Sequence, residues 1–412
     1  MTRFGQLAYV GDLATRCYSF AVTRIPILLR RVLPIAVAAA FGFTAGSRAI
    51  AVPFIPTDAK AIVETLRERP LDRSDIEFRV LRRQLRLAPA SLPVALAVAQ
   101  TAIEIARRDG DPRYLGYAES ALAPWWVAAR APISVQLLKA TLLQSVHRFD
   151  DALVELRRIL ESDPRNAQAW LLQASILQVQ GRYAEAASSC ERLAPLGAGL
   201  YGEACLAELG SLTGNAAVGH VRLTKLIVAS RASVNGWLHL VDAELEERQG
   251  EFAIAEREFR LALALSPDAY TKGAFADFLL DRGRPAEVVP LLVQDKRADP
   301  LLLRLTLAYQ ALGAADLADG RAALTARFAA ARLRGDKVHL REEARFELHL
   351  LAQADEALGL ALANWRVQRE PADARILLEA AQAAHQPSAA DSVRQFVRQS
   401  GLSDQRLAAL LK

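Results

Sequence analysis

The residue types best suited to chemistry gather in one short stretch near the carboxyl-terminal end of the chain. On a helix, His339 and Glu343 would lie one turn apart, and so would Glu343 and Glu347. Imidazole and carboxylate groups at this spacing can hold a metal ion such as zinc. Arg341 and Arg345 alternate with them, and ion pairs between residues four apart on a helix account for the same pattern. We therefore interpret the stretch as a solvent-exposed charged face and predict no metal site.

The rest of the sequence carries no common catalytic or cofactor-binding motif. It has no nucleophile elbow, no glycine-rich phosphate-binding loop and no paired CxxC, and its other histidines are scattered. These absences predict a protein that is not an enzyme and uses no cofactor. An enzyme that uses the fold as a scaffold stays an alternative, but no set of residues supports it.

A helical framework has to position any functional residue, and a 34-residue repeat indicates one. Alanines recur at this interval, each three positions after a large side chain: Leu115 and Ala118, Phe149 and Ala152, Tyr183 and Ala186. A fixed period of this length is typical of arrays of helix–turn–helix units. His147 and Gly181 share a second position of the period, where the first helix of a unit ends.

The clearest unit spans residues 167–200. Trp170 opens its first helix, Ala174 is the small residue inside that helix, and Tyr183 and Ala186 begin the second helix. This order resembles the tetratricopeptide repeat family. The resemblance implies an all-α fold, a right-handed superhelical α-solenoid in which stacked helix–turn–helix units bury each other's apolar faces.

The repeat pattern divides the chain into four segments. We predict a signal peptide or signal-anchor over residues 1–51 and an extended arm with a first helix over residues 52–74. The repeat array follows over residues 75–300, and degenerate helical repeats with a carboxyl-terminal cap follow over residues 301–412. In the last segment Val393, Phe396 and Val397 recur at helical spacing, which predicts an amphipathic capping helix.

The excess of basic over acidic residues comes entirely from the first fifty residues. The whole chain has 51 lysines and arginines, 46 acidic residues and a net charge of +5. Residues 1–50 contain six arginines and one aspartate, so the remaining 362 residues carry 45 basic and 45 acidic side chains. Binding to nucleic-acid phosphates depends on an excess of cationic side chains. We therefore predict that the partner is not a nucleic acid.

The amino-terminal segment has the order of a secretory signal. Arg30 and Arg31 precede a short uncharged stretch, residues 32–47, and small residues follow it. We expect export to the bacterial periplasm after cleavage. The alternatives are an uncleaved anchor, which would leave the protein on the inner membrane facing the periplasm, and a buried helix of the fold. Only the anchor would bring the protein to a membrane.

Two cysteines of the array leave two interpretations open. Cys190 falls in the second helix of one unit and Cys205 in the first helix of the next, and these helices should pack together. A disulfide would close a 15-residue loop, which is worth about 3 kcal/mol in an oxidising compartment. Both residues could instead be small buried apolar groups. We favour the two buried thiols.

The family resemblance also implies a ligand groove lined by the first helix of each unit. The lysine and asparagine set that clamps a terminal carboxylate in some family members is absent. Where the register can be counted, the groove positions of the middle units carry aromatic and acidic residues: Tyr201, Trp237, Tyr270, Glu208, Glu244 and Asp277. Such a surface suits an extended segment with apolar and basic side chains. Alternatively, the aromatic rings pack against the neighbouring helix and the acids are merely solvated.

These observations predict a non-catalytic protein–protein interaction scaffold. It would act as an adaptor in the bacterial cell envelope and hold a protein or peptide in its concave groove. The alternative is a membrane-tethered assembly subunit of an envelope machine, for polysaccharide or for secretion, anchored through residues 32–47.

Overall fold

The computed structural model of the protein describes Asp58 and residues 73–126, 131–230, 232–336 and 338–412. The predicted leader lies outside the described residues, and so does the predicted arm with its first helix, except for Asp58 and residues 73–74. Over the described ranges the chain forms nineteen α-helices and no strand. The predicted all-α solenoid is therefore confirmed. None of the helices in these ranges is long and apolar enough to cross a membrane.

The helices follow one another with short connections. In chain order they are α1 (Arg73–Leu87), α2 (Leu92–Asp109), α3 (Arg113–Trp126), α4 (Ile133–Ser145), α5 (Phe149–Ser162), α6 (Ala167–Val179), α7 (Tyr183–Glu191), α8 (Gly199–Leu212), α9 (Ala216–Ala229), α10 (Ala232–Gln249), α11 (Phe252–Leu265), α12 (Ala269–Asp281), α13 (Pro285–Leu292), α14 (Asp299–Leu312), α15 (Leu317–Leu333), α16 (Leu340–His349), α17 (Ala354–Trp365), α18 (Pro371–Ala383) and α19 (Asp391–Ser400).

From α2 onward, successive helices pair into hairpins, beginning with α2–α3 and α4–α5. The best-matched unit, α6–α7, shows why the sequence folds this way. The Asn166 side chain accepts a hydrogen bond from the Ala169 amide at 3.0 Å and so caps α6. Gly181 follows α6 with φ +74°, a left-handed conformation that ends the helix. Ala174 and Ala186 are fully buried, so the two helices approach closely.

His147 occupies the position of Gly181 in the preceding unit and also has a left-handed backbone, with φ +57°. The same conformation follows the first helices of most other units, where the sequence supplies glycine. The partial match between His147 and Gly181 therefore reflects a shared backbone geometry and not a shared side-chain role.

The array curves until its first hairpin, α2–α3, meets its sixth hairpin, α12–α13. Helix α2 packs against α12. A Cβ atom added to Gly110, which follows α2, would lie 2.9 Å from the Ala298 Cβ and 3.3 Å from the Ala269 Cβ. The absence of a side chain at Gly110 thus permits the close contact that closes the array on itself.

The carboxyl-terminal part of the chain folds back onto the middle units. The amide of Arg369 donates to the Val179 carbonyl at 2.7 Å, and that of Ser403 donates to the Leu212 carbonyl at 2.8 Å. Both acceptors lie at the carboxyl ends of first helices, α6 and α8. This segment therefore lies along the row of turns where the first helices of the middle units end.

Helix α19 is amphipathic, as predicted, but it does not cap the far end of the array. Val393 is fully buried, and the Phe396 ring lies 6.0 Å from that of Tyr183 and 5.4 Å from that of Trp365. The apolar face of α19 therefore packs on the α6–α7 hairpin and on Trp365 at the end of α17.

Cys190 and Cys205 form a disulfide between α7 and α8, with Cα atoms 6.0 Å apart and both side chains fully buried. The prediction of two buried thiols is therefore wrong, although the predicted burial and the predicted helix contact are confirmed. The helices come close because Gly202 faces α7, and a Cβ atom there would lie 2.8 Å from the Cys190 carbonyl oxygen.

Candidate binding cavity

A cavity of about 220 Å³ lies where the closed array meets the returning carboxyl-terminal segment. Its walls come from the ends of α2 and α4, from α10, α12, α14 and α16, from the start of α18 and from the turn that holds Arg406. It is lined by six arginines and five carboxylates: Arg107, Arg248, Arg304, Arg341, Arg345 and Arg406, and Glu244, Glu247, Asp277, Glu342 and Glu370. Because burial of an unpaired charge is costly, these groups have to bind one another or a ligand.

Asp277 joins two arginines from different helices. Arg304 Nη2 lies 2.5 Å from Asp277 Oδ2, and Arg345 Nη2 lies 2.9 Å from Asp277 Oδ1. Burial would raise the pKa of Asp277, but the two guanidinium groups outweigh it and hold the pKa well below its usual range. Arg304 also donates to the Gly273 carbonyl at 3.1 Å, so one guanidinium ties α14 to α12 twice. Asp277 therefore connects the array to α16.

Arg341 forms a second ionic centre at the start of α18. Its Nη1 lies 3.0 Å from Glu370 Oε2 and 3.2 Å from Asp373 Oδ1. Asp373 is fully buried, and burial raises its pKa to about 6 although Arg341 lowers it. Asp373 also accepts a hydrogen bond from the side-chain amide of Asn364 at 2.8 Å. A second hydrogen bond comes from the backbone amide of Glu370, the residue before α18. These bonds fix the wall of the cavity that α18 contributes.

Arg406 lies between two carboxylates. Its Nη1 is 2.9 Å from Glu247 Oε2, and its Nη2 is 2.6 Å from Asp404 Oδ2. The pKa of Asp404 is lowered: burial would raise it, but Arg406 outweighs burial. The pKa of Glu247 is raised to about 7, because burial outweighs the attraction of an arginine that it shares. Glu247 is therefore the carboxyl group of this trio that takes up a proton near neutral pH.

Two histidines also line the cavity. Burial holds the pKa of His147 well below its usual range, so its ring is neutral at pH 7. That ring stacks on Phe149, with centroids 5.3 Å apart. The Nε2 atom of His339 is buried in the cavity wall and has no hydrogen-bond partner among the described residues. The two histidines therefore add polar ring edges among the ion pairs, and the ring of His147 is uncharged.

The structure brings three of the six predicted groove residues to this cavity. Tyr270, Glu244 and Asp277 line it, and the Tyr270 hydroxyl donates to Glu244 Oε1 at 3.0 Å. The other three lie outside the lining. Trp237 is 8 % exposed and contacts the Tyr201 ring at 6.1 Å between centroids. Glu208 is buried and accepts from the Gln178 amide at 2.9 Å. A role in partner binding stays a prediction for all six residues.

The predicted charged face on α16 is not exposed to solvent. Glu342, Glu343 and Glu347 are all buried, because α16 lies between the array and the helices that follow it. Ion pairs explain these residues, as predicted. Glu342 pairs with Arg341 of the same helix at 3.5 Å, but the partner of Glu343 and Glu347 comes from another helix. Arg332 Nη1 of α15 lies 2.5 Å from Glu343 Oε1 and 3.7 Å from Glu347 Oε1.

Sequence reasoning missed the arginines that line the cavity. Arg304 carried the clearest signal, since it interrupts the apolar run Leu301-Leu302-Leu303 and Leu305 on α14. A charged residue inside such a run needs a buried partner. Arg345 and Arg406 gave no comparable signal, because their partners, Asp277 and Glu247, lie 68 and 159 residues away in sequence.

Comparison with known proteins supports the repeat. The family model described as a tetratricopeptide repeat matches residues 137–201, which run from α4 into α8. No curated protein shows significant sequence similarity to the chain.

Several solved structures resemble the chain at low identity. The Cut9–Hcn1 tetramer of the APC/C is 15% identical over 75% of this chain and 52% of its own, with a TM-score of 0.38, so the chain spans about half of that protein's length. The human IFIT1 dimer with m7Gppp-AAAA is 11% identical over 80% and 87%, with a TM-score of 0.44. Yeast Tom70 is 11% identical over 78% and 80%, with a TM-score of 0.37. These values carry no functional argument.

Proposed function

We propose that the protein is a non-catalytic scaffold that binds another protein and takes a short charged segment of it into the central cavity. The observation that carries this proposal is the position of Tyr270, Glu244 and Asp277. Closure of the array gathers these first-helix residues in one cavity with six arginines. The tetratricopeptide match and the hairpin architecture support a role in protein binding.

The chemistry of the lining indicates what such a segment would carry. A volume of about 220 Å³ admits one or two side chains. An acidic side chain would bind the guanidinium forks of Arg341 and Arg345, for which bidentate contacts suit carboxylates. A basic side chain would bind Glu244 or Asp277. Because the walls are already ordered by ion pairs, little conformational entropy would be lost on binding.

We place this scaffold in the bacterial cell envelope. The order of the amino-terminal segment supports export, and the Cys190–Cys205 disulfide supports an oxidising compartment. A reporter fusion tests directly whether the protein is exported. Alkaline phosphatase fused after Lys412 should be active, since it needs an oxidising compartment to form its own disulfides. Activity that is unchanged by deletion of residues 1–51 would contradict export through that segment.

Site-specific photocrosslinking in the native host tests the binding site. A photoreactive phenylalanine replaces Val338, which lines the cavity, or Leu333, which is 61% exposed at the end of α15. We expect a discrete protein adduct from position 338 that Glu244→Gln weakens, and none from position 333. Equal adducts from both positions, or an adduct that nuclease digests, would contradict the proposal.

The second candidate is a membrane-tethered assembly subunit of an envelope machine. The uncharged stretch at residues 32–47 favours it, if that stretch is not cleaved. An alkaline wash of the membrane fraction distinguishes the two candidates. Retention of full-length protein in the pellet supports the tether, and release of a shortened protein supports the exported scaffold.

A further inference from the structure

A histidine and two carboxylates meet between α9 and α10, and none of the three lines the cavity. His220 Nδ1 lies 2.8 Å from Asp242 Oδ1 and 3.0 Å from Glu246 Oε1. One ligand atom from each of the three residues lies within 4.8 Å of the other two. No prediction from sequence included this cluster, because His220 is 22 residues from Asp242.

The backbone holds the three residues in place. Asp242 and Glu246 are one turn apart on α10, so their side chains project from the same face. His220 faces them from α9. The neighbouring Gly219 lets α9 approach, since a Cβ atom there would lie 2.8 Å from the Ala207 carbonyl oxygen and 2.9 Å from Leu245 Cδ1. The site is therefore built by helix packing and not by a mobile loop.

The charges around the cluster leave an excess of acid. Asp242 and Glu246 are 1% and 5% exposed, and His220 is the cationic group that bonds to them. Glu251 and Glu258 face the cluster as further carboxylates. Glu258 is itself bound by His239 at 2.6 Å and by Arg257 at 2.7 Å. A single histidine thus balances two buried carboxylates.

We propose that His220, Asp242 and Glu246 bind a divalent transition metal, with Zn²⁺ as the best fit. Imidazole favours zinc over magnesium or calcium. Bonds of about 2.1 Å at tetrahedral angles place ligand atoms about 3.4 Å apart, which a small rotation of these side chains provides. The His220 side chain is 29% exposed, so water can reach a fourth position. The metal would join α9 to α10, and so it would join the α8–α9 hairpin to the α10–α11 hairpin.

The test uses the purified full-length protein after removal of metals by chelation. Isothermal titration with Zn²⁺ should show one site per chain, and Co²⁺ should give the visible absorption of a tetrahedral complex. Asp242→Asn, Glu246→Gln and His220→Gln should each weaken Zn²⁺ binding at least about 100-fold. Circular dichroism confirms that each variant is folded.

The matched control is His239→Gln. His239 lies on α10, as Asp242 and Glu246 do, and pairs at 2.6 Å with Glu258 of α11, but this pair has one carboxylate and no third ligand among the described residues. The control should bind Zn²⁺ like the unmodified protein. The proposal fails if the unmodified protein binds no Zn²⁺ and gives no Co²⁺ spectrum, or if all four variants retain binding. If a ligand variant fails to fold, the Co²⁺ spectrum of the unmodified protein tests the proposal. The absorption of a tetrahedral complex supports it, and the absence of that absorption contradicts it.

Discussion

Phe396 lies in the space that Gly181 leaves by having no side chain. A Cβ atom on Gly181 would lie 2.5 Å from Phe396 Cζ and 2.6 Å from its Cε2. Through this contact, the turn of the α6–α7 unit, which matches the repeat pattern most clearly, also holds α19 in place. One glycine thus serves two purposes, since it ends α6 in a left-handed conformation and accepts an aromatic ring from 215 residues further along the chain.

Replacement of Gly181 by alanine should therefore cost more than the same replacement at a similar turn. Left-handed backbone costs a non-glycine residue about 1–2 kcal/mol, and displacement of Phe396 adds about 1–3 kcal/mol. Gly283→Ala is the control, because the φ of Gly283 is +67° and no atom of the described residues lies within 4 Å of the added Cβ. Urea unfolding of both variants measures the difference. Equal losses of stability would show that α19 does not depend on the Gly181 contact.

The Cys190–Cys205 disulfide closes a loop with a sequence separation of 15 residues. Reduction should lower the free energy of unfolding by about 3 kcal/mol, because the reduced unfolded chain has more conformations. Denaturant unfolding with and without dithiothreitol measures this change, and a thiol assay confirms the reduction. The double variant Cys190→Ala, Cys205→Ala should not respond to dithiothreitol. An oxidised protein no more stable than the reduced one would contradict the prediction.

Glu247 should make stability depend on pH near neutrality. The unfolded carboxyl group releases its proton near its ordinary pKa of 4.5, whereas the folded one releases it near pH 7. Between these values the folded state holds a proton that the unfolded state has lost, so the free energy of unfolding falls as the pH rises.

Glu247→Gln removes this titration. As the pH rises from 5 to 8, the free energy of unfolding of the variant should increase by up to about 3 kcal/mol relative to that of the unmodified protein. Thermal or urea unfolding across this pH range provides the comparison, and Glu119→Gln on the exposed face of α3 is the control. A difference between Glu247→Gln and the unmodified protein that stays constant with pH would show that Glu247 does not titrate there.

Asp277→Asn should be strongly destabilising, since it leaves Arg304 and Arg345 without their shared carboxylate. We expect a loss of about 3 kcal/mol, at the low end for a buried pair because 25% of the Asp277 side chain is exposed. The exposed pair of Arg148 and Asp151 supplies a control, in which Asp151→Asn should cost about 0.5 kcal/mol or less. If Arg345→Met restores the stability of Asp277→Asn, the cost arises from an unpaired charge. Failure of both Arg345→Met and Arg304→Met to restore it would contradict that cause.

The cavity was only partly predictable, and its residues show why. Glu244, Tyr270 and Asp277 are first-helix positions of a local repeat, so counting along the chain identifies them. Their partners are distant, and Arg345 is 68 residues from Asp277. The predicted exposure of α16 failed for the same reason. Local alternation of charge on a helix gives the types of ion pair, but it does not say which neighbouring element will cover that face.

The sequence by itself determined the all-helical hairpins, because the 34-residue spacing of alanines and large apolar residues, the left-handed turn residues and the capping asparagine all act within one unit. Only the tertiary structure decided that the array closes at Gly110, that the Cys190 and Cys205 sulfurs bond, and that α16 to α19 fold back onto the middle units. Those outcomes depend on the small rotation between successive units, which adds up over the array. That sum places residues far apart in sequence against one another, and no short-range pattern encodes it.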